Sequence, residues 1–498
     1  MRKGFLMVLA VALVAVLAAP AVAGTDINGF YRAKGYVTNF DTPSAPSIRN
    51  DMPSAGYVEQ RMRMRFSFGE ENVKAVGFFE IDFGSWGDSA GNAPAAQGGA
   101  ARNTGGALGG DKINLETKNA YVWFKLPNTS LDFTVGLQNQ TDSVFGLLYG
   151  GADMAGIFAN GKYEPVSWKL GWAKWYENDV SAWDDLSLYM GYVSFAPSKG
   201  FKLGIGAYVF QDDAGKTTGA SQLPYGAAFA INPRLNGAMV AGAPAPGNLP
   251  SANTKLIYTF PVDFSFGASW GALSGFALYQ FGTVDFTGTR SDIDISAYAA
   301  DLRLDMNLGP GKFFVEGLIL SGGDNSSNEY QSVVTASDLN ASPGGNSAFT
   351  RLDYQILMGN ADDINQNTCL IGCATPVASA QPGVGASQSP GNGGRGLWTI
   401  GLGFGMKVSE KTTMKLGAGY MAAVKKLQWQ APATSDVRDT DMGTEFNGNI
   451  NYNIMKGLDF GLYAAYAMIG DFFAGPAGGG ADNPDSVYSM FFRLNYAF

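Results

Sequence analysis

From Asp26 to the last residue, the chain repeats segments of about ten residues in which large apolar side chains alternate with small or polar ones. Successive side chains of a β-strand point to opposite faces, so this period of two predicts strands with one apolar and one polar face. The final segment, 487–498, shows the pattern most clearly. Its apolar positions are Tyr488, Met490, Phe492, Leu494, Tyr496 and Phe498. A chain built almost wholly of such segments is predicted to be all-β.

The composition indicates where the apolar faces lie. Only 15% of the 498 residues are charged and 67 are glycine, and the mean hydropathy is −0.02. A wall that faces lipid outside and water inside averages to neutral hydropathy, whereas a transmembrane helix requires a long apolar run. The chain has such a run only near its N-terminus. We therefore predict a closed antiparallel transmembrane β-barrel.

The breaks between the segments alternate between short turns and long loops, as expected for a bacterial barrel with short periplasmic turns and long extracellular loops. The long breaks, rich in Gly, Ala, Pro, Asn and Ser, include 85–111, 211–253 and 322–394. The predicted short turns are 69–72, 127–130, 197–200, 271–275, 309–312, 409–411 and 455–457. This alternation gives about 18 strands with both termini in the periplasm, and about 16 is the alternative count. The strand-like stretch 349–358 is interpreted as part of a loop.

Residues 1–23 are typical of a secretory signal peptide. Two basic residues precede a long apolar run, and Ala21-Val22-Ala23 supplies small residues for cleavage before Gly24. An uncleaved N-terminal anchor is the alternative. Cleavage leaves one domain, 24–498, which we expect in the outer membrane of a Gram-negative bacterium. The formal net charge of −9 argues against nucleic acid as a partner, because binding to phosphates requires a basic surface.

The sequence contains no histidine, which excludes a large part of catalytic chemistry. A His-dependent triad, an imidazole metal site and a CxxCH haem attachment all require this residue. We therefore expect no enzyme activity, no catalytic residue, no metal and no cofactor. The two cysteines, Cys369 and Cys373, lie in a polar stretch and predict a local disulfide, because two thiolates without histidine leave zinc short of ligands.

Basic residues concentrate on the polar faces of predicted strands at both ends of the chain. They are Arg32, Lys34, Arg61, Arg63, Arg65, Lys74 and Arg493. Because closure brings the last strand beside the first, we predict one contiguous basic wall inside the barrel. So much like charge requires water or opposing carboxylates, for which Glu59, Glu80 and Asp82 are the nearest candidates. The wall either forms a charged constriction that selects solutes or pairs with these carboxylates as ordinary lumen lining.

Two parts of the chain resemble a known family. The aromatic residues Tyr496 and Phe498 resemble the C-terminal signal by which outer-membrane barrels are recognised for assembly. Within 131–177, the segment Leu131-Asp-Phe-Thr-Val-Gly-Leu-Gln and those that follow are similar to the porin strands around an inward-folded third loop. The chain thus resembles the general porin family of Gram-negative outer membranes. This resemblance implies loop carboxylates opposite a basic wall, here Asp142 and Asp153, and a homotrimer embedded in outer-membrane lipid.

These features predict a porin, a water-filled channel for passive diffusion of small hydrophilic solutes and ions. Loop carboxylates are screened by salt within about 8 to 10 Å, whereas the arginines share one lumen face, so we expect anion preference despite the acidic chain. The alternatives are a substrate-selective channel for sugars or anions, and a plugged barrel with a structural or surface-interaction role. Aromatic residues in a lumen can guide sugars; Trp175 and Trp183 are the candidates for a lumen or loop position, whereas Trp168 and Trp172 are expected to face lipid.

Overall fold

A computed structural model gives the fold. It describes residues 24–39, 54–83, 86, 115–177, 180–213, 252–286, 292–323, 329–334, 354–358, 396–426, 428–431, 434–437, 439–473 and 485–498. The predicted signal peptide and both cysteines, Cys369 and Cys373, lie outside these residues. Within the described ranges, no helix is long and apolar enough to cross a membrane.

The described residues form one closed barrel of 18 antiparallel strands. The barrel strands are β1 (Gly24–Thr38), β2 (Ala55–Glu70), β3 (Val73–Phe83), β4 (Leu115–Lys125), β5 (Leu131–Gln140), β6 (Ala152–Tyr163), β7 (Val166–Tyr176), β8 (Leu186–Ser198), β9 (Phe201–Asp212), β10 (Ala252–Ala268), β11 (Gly271–Phe286), β12 (Ile293–Leu308), β13 (Gly311–Leu320), β15 (Leu397–Lys407), β16 (Thr412–Ala422), β19 (Asp441–Met455), β20 (Leu458–Ile469) and β21 (Val487–Ala497). The short strand β14 (Glu329–Tyr330) pairs with β12, and β17 (Gln428–Ala431) pairs with β18 (Thr434–Val437).

The barrel closes where the first strand meets the last. β1 pairs with β2 on one side and with β21 on the other, so Lys34 lies opposite both Glu59 and Arg493. The other barrel strands pair with their two neighbours along the wall in the same antiparallel way. Closure of this kind removes free strand edges from the wall. The predicted all-β barrel and its count of 18 strands are therefore confirmed.

Short turns join the strands at one end of the barrel. In the described residues they are 71–72, 126–130, 164–165, 199–200, 269–270, 309–310, 408–411 and 456–457. Asn128 and Gly309 have φ values of 59° and 55°, a left-handed conformation that asparagine and glycine tolerate in tight turns. The predicted turn at 271–275 is wrong, because β11 already begins at Gly271 and its alternation continues through the glycines. The predictions also omitted the turn at 164–165.

The two faces of the wall differ as the alternation predicts. On the outer face, Leu170, Ile205 and Met490 are 56%, 58% and 52% exposed. On the inner face, Lys34 and Gln280 are completely buried. An apolar outer surface of this kind suits a barrel in lipid.

Two loop segments from the end opposite the short turns fold into the barrel. The first infolded segment is 141–151, between β5 and β6. The second comprises 329–334 and 354–358, between β13 and β15. Val144 and Ile356 are completely buried and belong, with inward side chains of the wall, to one apolar core. Residues 354–358 are not a barrel strand, which confirms their interpretation as part of a loop.

Candidate functional site

The basic wall is built by neighbouring strands at the closure of the barrel. Arg32 on β1 lies opposite Arg61 on β2. Between β2 and β3, Arg61 lies opposite Asp82, and Arg63 lies opposite Glu80. The alternation places these residues on the inner face together with the buried Lys34. The side chain of Asp82 lies outside the described part of the structure.

Glu80 is the acidic partner of the arginines. Its carboxylate forms ion pairs with Arg63, with Arg61 at 3.2 Å and with Lys118 at 4.0 Å. The Glu80 side chain is only 3% exposed, whereas those of Arg61 and Arg63 are 12% and 23% exposed. Arg61 and Arg63 therefore share one buried carboxylate and keep part of their own surface exposed on the inner face. Pairing with Glu80 and partial exposure of the arginines coexist at this point of the wall.

Other members of the basic wall are accessible in different degrees. Arg32 is half-buried and donates a hydrogen bond to the side-chain oxygen of Asn495 at 3.2 Å. Arg65 is exposed and donates to the hydroxyl of Tyr121 at 2.9 Å. Lys74 is exposed close to the turn between β2 and β3. Arg65 and Lys74 therefore extend the accessible basic surface toward the short turns.

A row of aromatic rings holds the two remaining basic residues. The ring of Phe491 stacks on Tyr463 at 4.5 Å and lies 4.9 Å from Tyr36. The Nζ atom of Lys34 donates to the hydroxyl of Tyr36 at 3.2 Å, and the guanidinium of Arg493 lies 5.0 Å from the ring of Tyr463. Lys34 is completely buried, so a solute cannot reach it. Fewer basic residues of the wall are therefore accessible to a solute than the sequence predicted.

Asp142 organises the first infolded segment. Its carboxylate accepts hydrogen bonds from the backbone N–H groups of Val144, Gly146, Leu148 and Tyr149 at 2.8, 2.8, 2.6 and 2.7 Å. Burial raises the pKa of Asp142 to about 6, and the four N–H donors oppose that rise. The carboxylate is thus used within its own loop. It does not face the basic wall across the lumen, as the resemblance to porins implied.

Asp153 also departs from the expected position. It forms an ion pair with Lys118 at 2.7 Å. The side-chain amides of Asn119 and Asn139 donate to its carboxylate at 3.1 and 3.0 Å. Asp153 is therefore held among side chains of β4 and β5, and Lys118 links it to Glu80.

Glu445 holds the second infolded segment, and the sequence analysis missed it. Its carboxylate accepts hydrogen bonds from the backbone N–H groups of residues 355, 356 and 357 at 2.7, 2.9 and 2.8 Å. Gln280 makes a similar pair of bonds with the backbone of Val334, at 3.0 and 2.7 Å. Glu445 lies opposite Gly419, where the wall leaves room for a segment inside, and this pairing of two strands is not visible in the sequence.

Charged side chains elsewhere on the inner face pair with one another. Arg303 on β12 forms ion pairs with Glu316 at 2.9 Å and with Asp305 at 3.0 Å. Lys202 on β9 pairs with Asp263 on β10 at 3.1 Å. The sequence analysis did not select these residues, because period-two spacing gives the facing of a side chain and not its partner on another strand.

Solved structures share this overall fold. OccAB4 from Acinetobacter baumannii has 8% sequence identity and a TM-score of 0.51, with 96% of this chain and 100% of that chain covered. A BenF-like porin from Pseudomonas fluorescens Pf-5 has 10% identity and a TM-score of 0.51, with 95% of this chain and 98% of that chain covered. No protein-family model and no curated protein matches the sequence. Identities this low show the fold alone, which confirms the porin-like barrel.

Proposed function

We propose that this barrel, which shares the fold of a solved BenF-like porin, is itself a porin of a Gram-negative outer membrane. It provides a water-filled path for passive diffusion of small hydrophilic solutes and ions, and its basic wall favours anions. It needs no cofactor. Residues 1–23 are removed on export, and Tyr496 and Phe498 act in assembly.

The basic group around Glu80 is the observation that carries this proposal. Arg61 and Arg63 are partly exposed on the inner face, and Arg65 is exposed. Guanidinium groups are costly to bury in a dry interior, and those of Arg61 and Arg63 are partly exposed, so we infer that this part of the lumen holds water. A closed wall around water-exposed positive charge is suited to the passage of anions.

The position of the infolded segments supports a narrow path beside the basic wall. In the first segment, the ring of Phe145 packs against that of Phe276 on β11, with 6.1 Å between the ring centroids. In the second, the hydroxyl of Tyr354 lies 2.7 Å from that of Thr399 on β15, and Glu445 on β19 binds the backbone. These contacts lie on strands other than β1, β2 and β3. A path narrowed from that side brings permeating ions closer to the arginines, where local charge acts most strongly.

The sugar-channel alternative gains no support from the two tryptophans that suggested it. Trp175 packs inside the apolar core, with its ring 5.4 Å from Phe210 and 6.2 Å from Tyr149. Trp183 is 91% exposed in the loop after β7. The charged surface near Glu80 favours selection of anions instead.

The homotrimer implied by the resemblance is a proposal with one supporting feature. The outer wall has a groove of about 530 Å³ beside Leu170 and Trp172, lined in part by the small residues Ala159, Gly191 and Ala207. Small residues allow another surface to approach closely in lipid. Native mass spectrometry of the detergent-solubilised protein tests this assembly. A monomer as the sole species would contradict it.

Conductance in planar bilayers tests the channel. Purified protein is expected to give stepwise ion currents, with a reversal potential in a KCl gradient that shows anion preference. A plugged structural barrel gives no current, which would refute the proposed function. Open channels that prefer cations would support the porin function but refute the role of the basic wall in anion preference.

A further inference from the structure

One strand of the wall carries a run of identical polar side chains on its inner face. Alternate residues of β19 after Glu445 are asparagines, and we call these four the asparagine ladder: Asn447, Asn449, Asn451 and Asn453. Because alternate residues of a strand share a face, the ladder lies on the inner face with the buried Glu445. On the outer face of the same strand lie the exposed Phe446, Ile450 and Tyr452. At about 3.4 Å per residue, the ladder extends about 20 Å along the lumen.

Glycines on both neighbouring strands make room for the ladder. Gly417 on β16 lies opposite Asn447, and Gly461 on β20 lies opposite Asn451. A Cβ atom at Gly417 would lie 2.8 Å from the side-chain oxygen of Asn447, and one at Gly461 would collide with that of Asn451. The two asparagine side chains therefore lie against these glycines. A side chain at either glycine position would displace an amide of the ladder.

Hydrogen bonds orient the amides of the ladder. The Nδ2 atom of Asn451 donates to Oδ1 of Asn449 at 2.9 Å, and the hydroxyl of Tyr463 donates to Oδ1 of Asn451 at 2.7 Å. The amide of Asn453 donates to Asp459 at 2.8 Å. A primary amide has two N–H donors and an oxygen with two lone pairs, which is more than the bonds among the described residues use at Asn449. Asn449 and Asn451 are partly exposed, so a solute can reach them.

A cavity of about 760 Å³ lies beside the middle of the ladder and opens at the short-turn end of the lumen. Its lining includes Asn307, Lys407, Lys415, Asn449, Asn451 and Tyr463. The volume is within the range of about 300 to 1,000 Å³ that is typical of small-molecule sites. The cavity adjoins the basic wall, because the guanidinium of Arg493 donates to Oδ1 of Asn451 at 3.4 Å.

The donors and acceptors of the ladder decide which solute it suits. Lysine and arginine side chains only donate hydrogen bonds, so they match the oxygens of an anion, which only accept. An amide both donates and accepts, as does a hydroxyl group. A row of amides therefore pairs with a molecule that carries several hydroxyl groups, whereas its acceptor oxygens find no partner on a simple anion. The lysines of the cavity lining can also donate to hydroxyl oxygens, so they are compatible with such a molecule.

We propose that the asparagine ladder is a binding site for uncharged polyhydroxylated solutes, the chemical class of the sugars. The inference rests on the proposed function, because such a solute reaches the ladder through the open lumen. It does not depend on Trp175 or Trp183, because the residues that carry it lie on β19. The arginines near Glu80 act on the charge of a solute, whereas the ladder acts on its hydroxyl groups. The lumen therefore selects solutes by two different properties.

Single-channel recording with the full chain tests the proposal. Maltose and a polyethylene glycol of similar size are added separately to the side that the short turns face, and the half-blocking concentration of each is measured. Maltose is expected to block at a lower concentration than the glycol, whose ether oxygens accept hydrogen bonds but do not donate them. Because maltose is uncharged, its block should not change with voltage. Asn449→Leu with Asn451→Leu should raise the half-blocking concentration of maltose about tenfold, as expected when about two neutral hydrogen bonds are lost.

Two further variants separate the ladder from polar groups elsewhere in the lumen. The control Asn28→Leu with Asn160→Leu makes the same replacements on the inner faces of β1 and β6. These asparagines bond to carboxylates of Asp26 and Asp132, away from β19, so block by maltose should stay unchanged. Gly461→Ala keeps all four asparagines, and its added Cβ atom displaces the side-chain oxygen of Asn451. This variant should also weaken the block, and it tests the site if the double leucine variant does not assemble.

Each outcome decides one point. Block by maltose that is unchanged in the ladder variants overturns the proposal, as does equal weakening in the control. If the glycol blocks as strongly as maltose, size alone causes the block, and the assignment to sugars is wrong. If open channels show no block by maltose, the ladder is not a sugar site, whereas the porin stands. If no current flows, the porin fails, and saturation-transfer difference NMR of maltose with the protein, in a detergent whose head group is not a sugar, still decides whether the ladder binds it.

Discussion

Replacing Arg61, Arg63 and Arg65 together by glutamine should remove most of the anion preference of the channel. These guanidinium groups lie on one face of β2, and the carboxylate of Glu80 offsets about one of their charges. The replacement removes three positive charges from this face of the lumen, whereas the charge of Glu80 stays. Anions lose a favourable interaction and cations lose a repulsion, so the reversal potential should move toward the cation side.

The size of the effect follows from the geometry. An ion that passes about 7 Å from a charge in water gains about 0.6 kcal/mol from it. The same charge disfavours a cation by about as much, so a single charge separates anion from cation by about 1.2 kcal/mol, which corresponds to about an eightfold permeability ratio. In a tenfold KCl gradient, loss of that ratio shifts the reversal potential by about 40 mV of the roughly 59 mV available to a perfectly selective pore. A narrower path or a lower local dielectric constant increases the shift.

Matched variants make the measurement decisive. A control variant, Lys162→Gln with Lys199→Gln and Lys456→Gln, removes three positive charges from exposed positions at the short-turn end and should shift the reversal potential far less. Because loss of Arg61 and Arg63 leaves the buried Glu80 with Lys118, a fourth change, Glu80→Gln, relieves that charge if the triple variant folds poorly. Arg65→Gln alone should give a smaller shift in the same direction. An unchanged reversal potential in folded triple variant channels would refute the role of these arginines.

Four further predictions concern the loops. Asp142→Asn should lower the stability of the first infolded segment by about 1 to 3 kcal/mol, because the amide replaces an acceptor oxygen with a donor that faces backbone N–H groups. Hydrogen exchange of those backbone amides measures the loss. Burial raises the pKa of Asp142 in the folded protein to about 6, above its ordinary value of 3.8. The contribution of this group to stability is therefore fully present below about pH 4 and falls as pH rises through 6. The hydrogen-exchange protection of these amides, corrected for intrinsic exchange, should be greater at pH 5 than at pH 7 in the natural protein and not in the variant. Glu445→Gln should weaken protection of residues 355–357 and leave Asp142-bound amides unchanged. Cys369 and Cys373 should resist alkylation before reduction. Cys369→Ser should fold normally, because a disulfide that closes so short a loop contributes little to stability. Alkylation of both thiols in the unreduced protein would contradict the disulfide.

The alternation of side chains is sufficient to determine much of the barrel from sequence. Arg61 and Arg63 face inward and Trp398 faces outward, because a strand sends successive side chains to opposite faces whatever its partners are. The positions of most short turns follow from breaks in the same pattern. The turn before Gly271 was misplaced, because small residues at a strand end carry little signal about where the alternation starts.

Only the tertiary structure decided which groups meet inside the barrel. Glu80 binds Arg61 and Arg63 because β2 and β3 pair in one register, and a shift by one residue would separate them. Asp142, expected to face the basic wall, instead binds the backbone of its own loop. Glu445 reaches backbone N–H groups 88 to 90 residues away in the chain. The facing of a side chain is a local property of the strand, whereas a partner within the lumen depends on closure of the whole barrel and on the fold of long loops, for which the period of two carries no information.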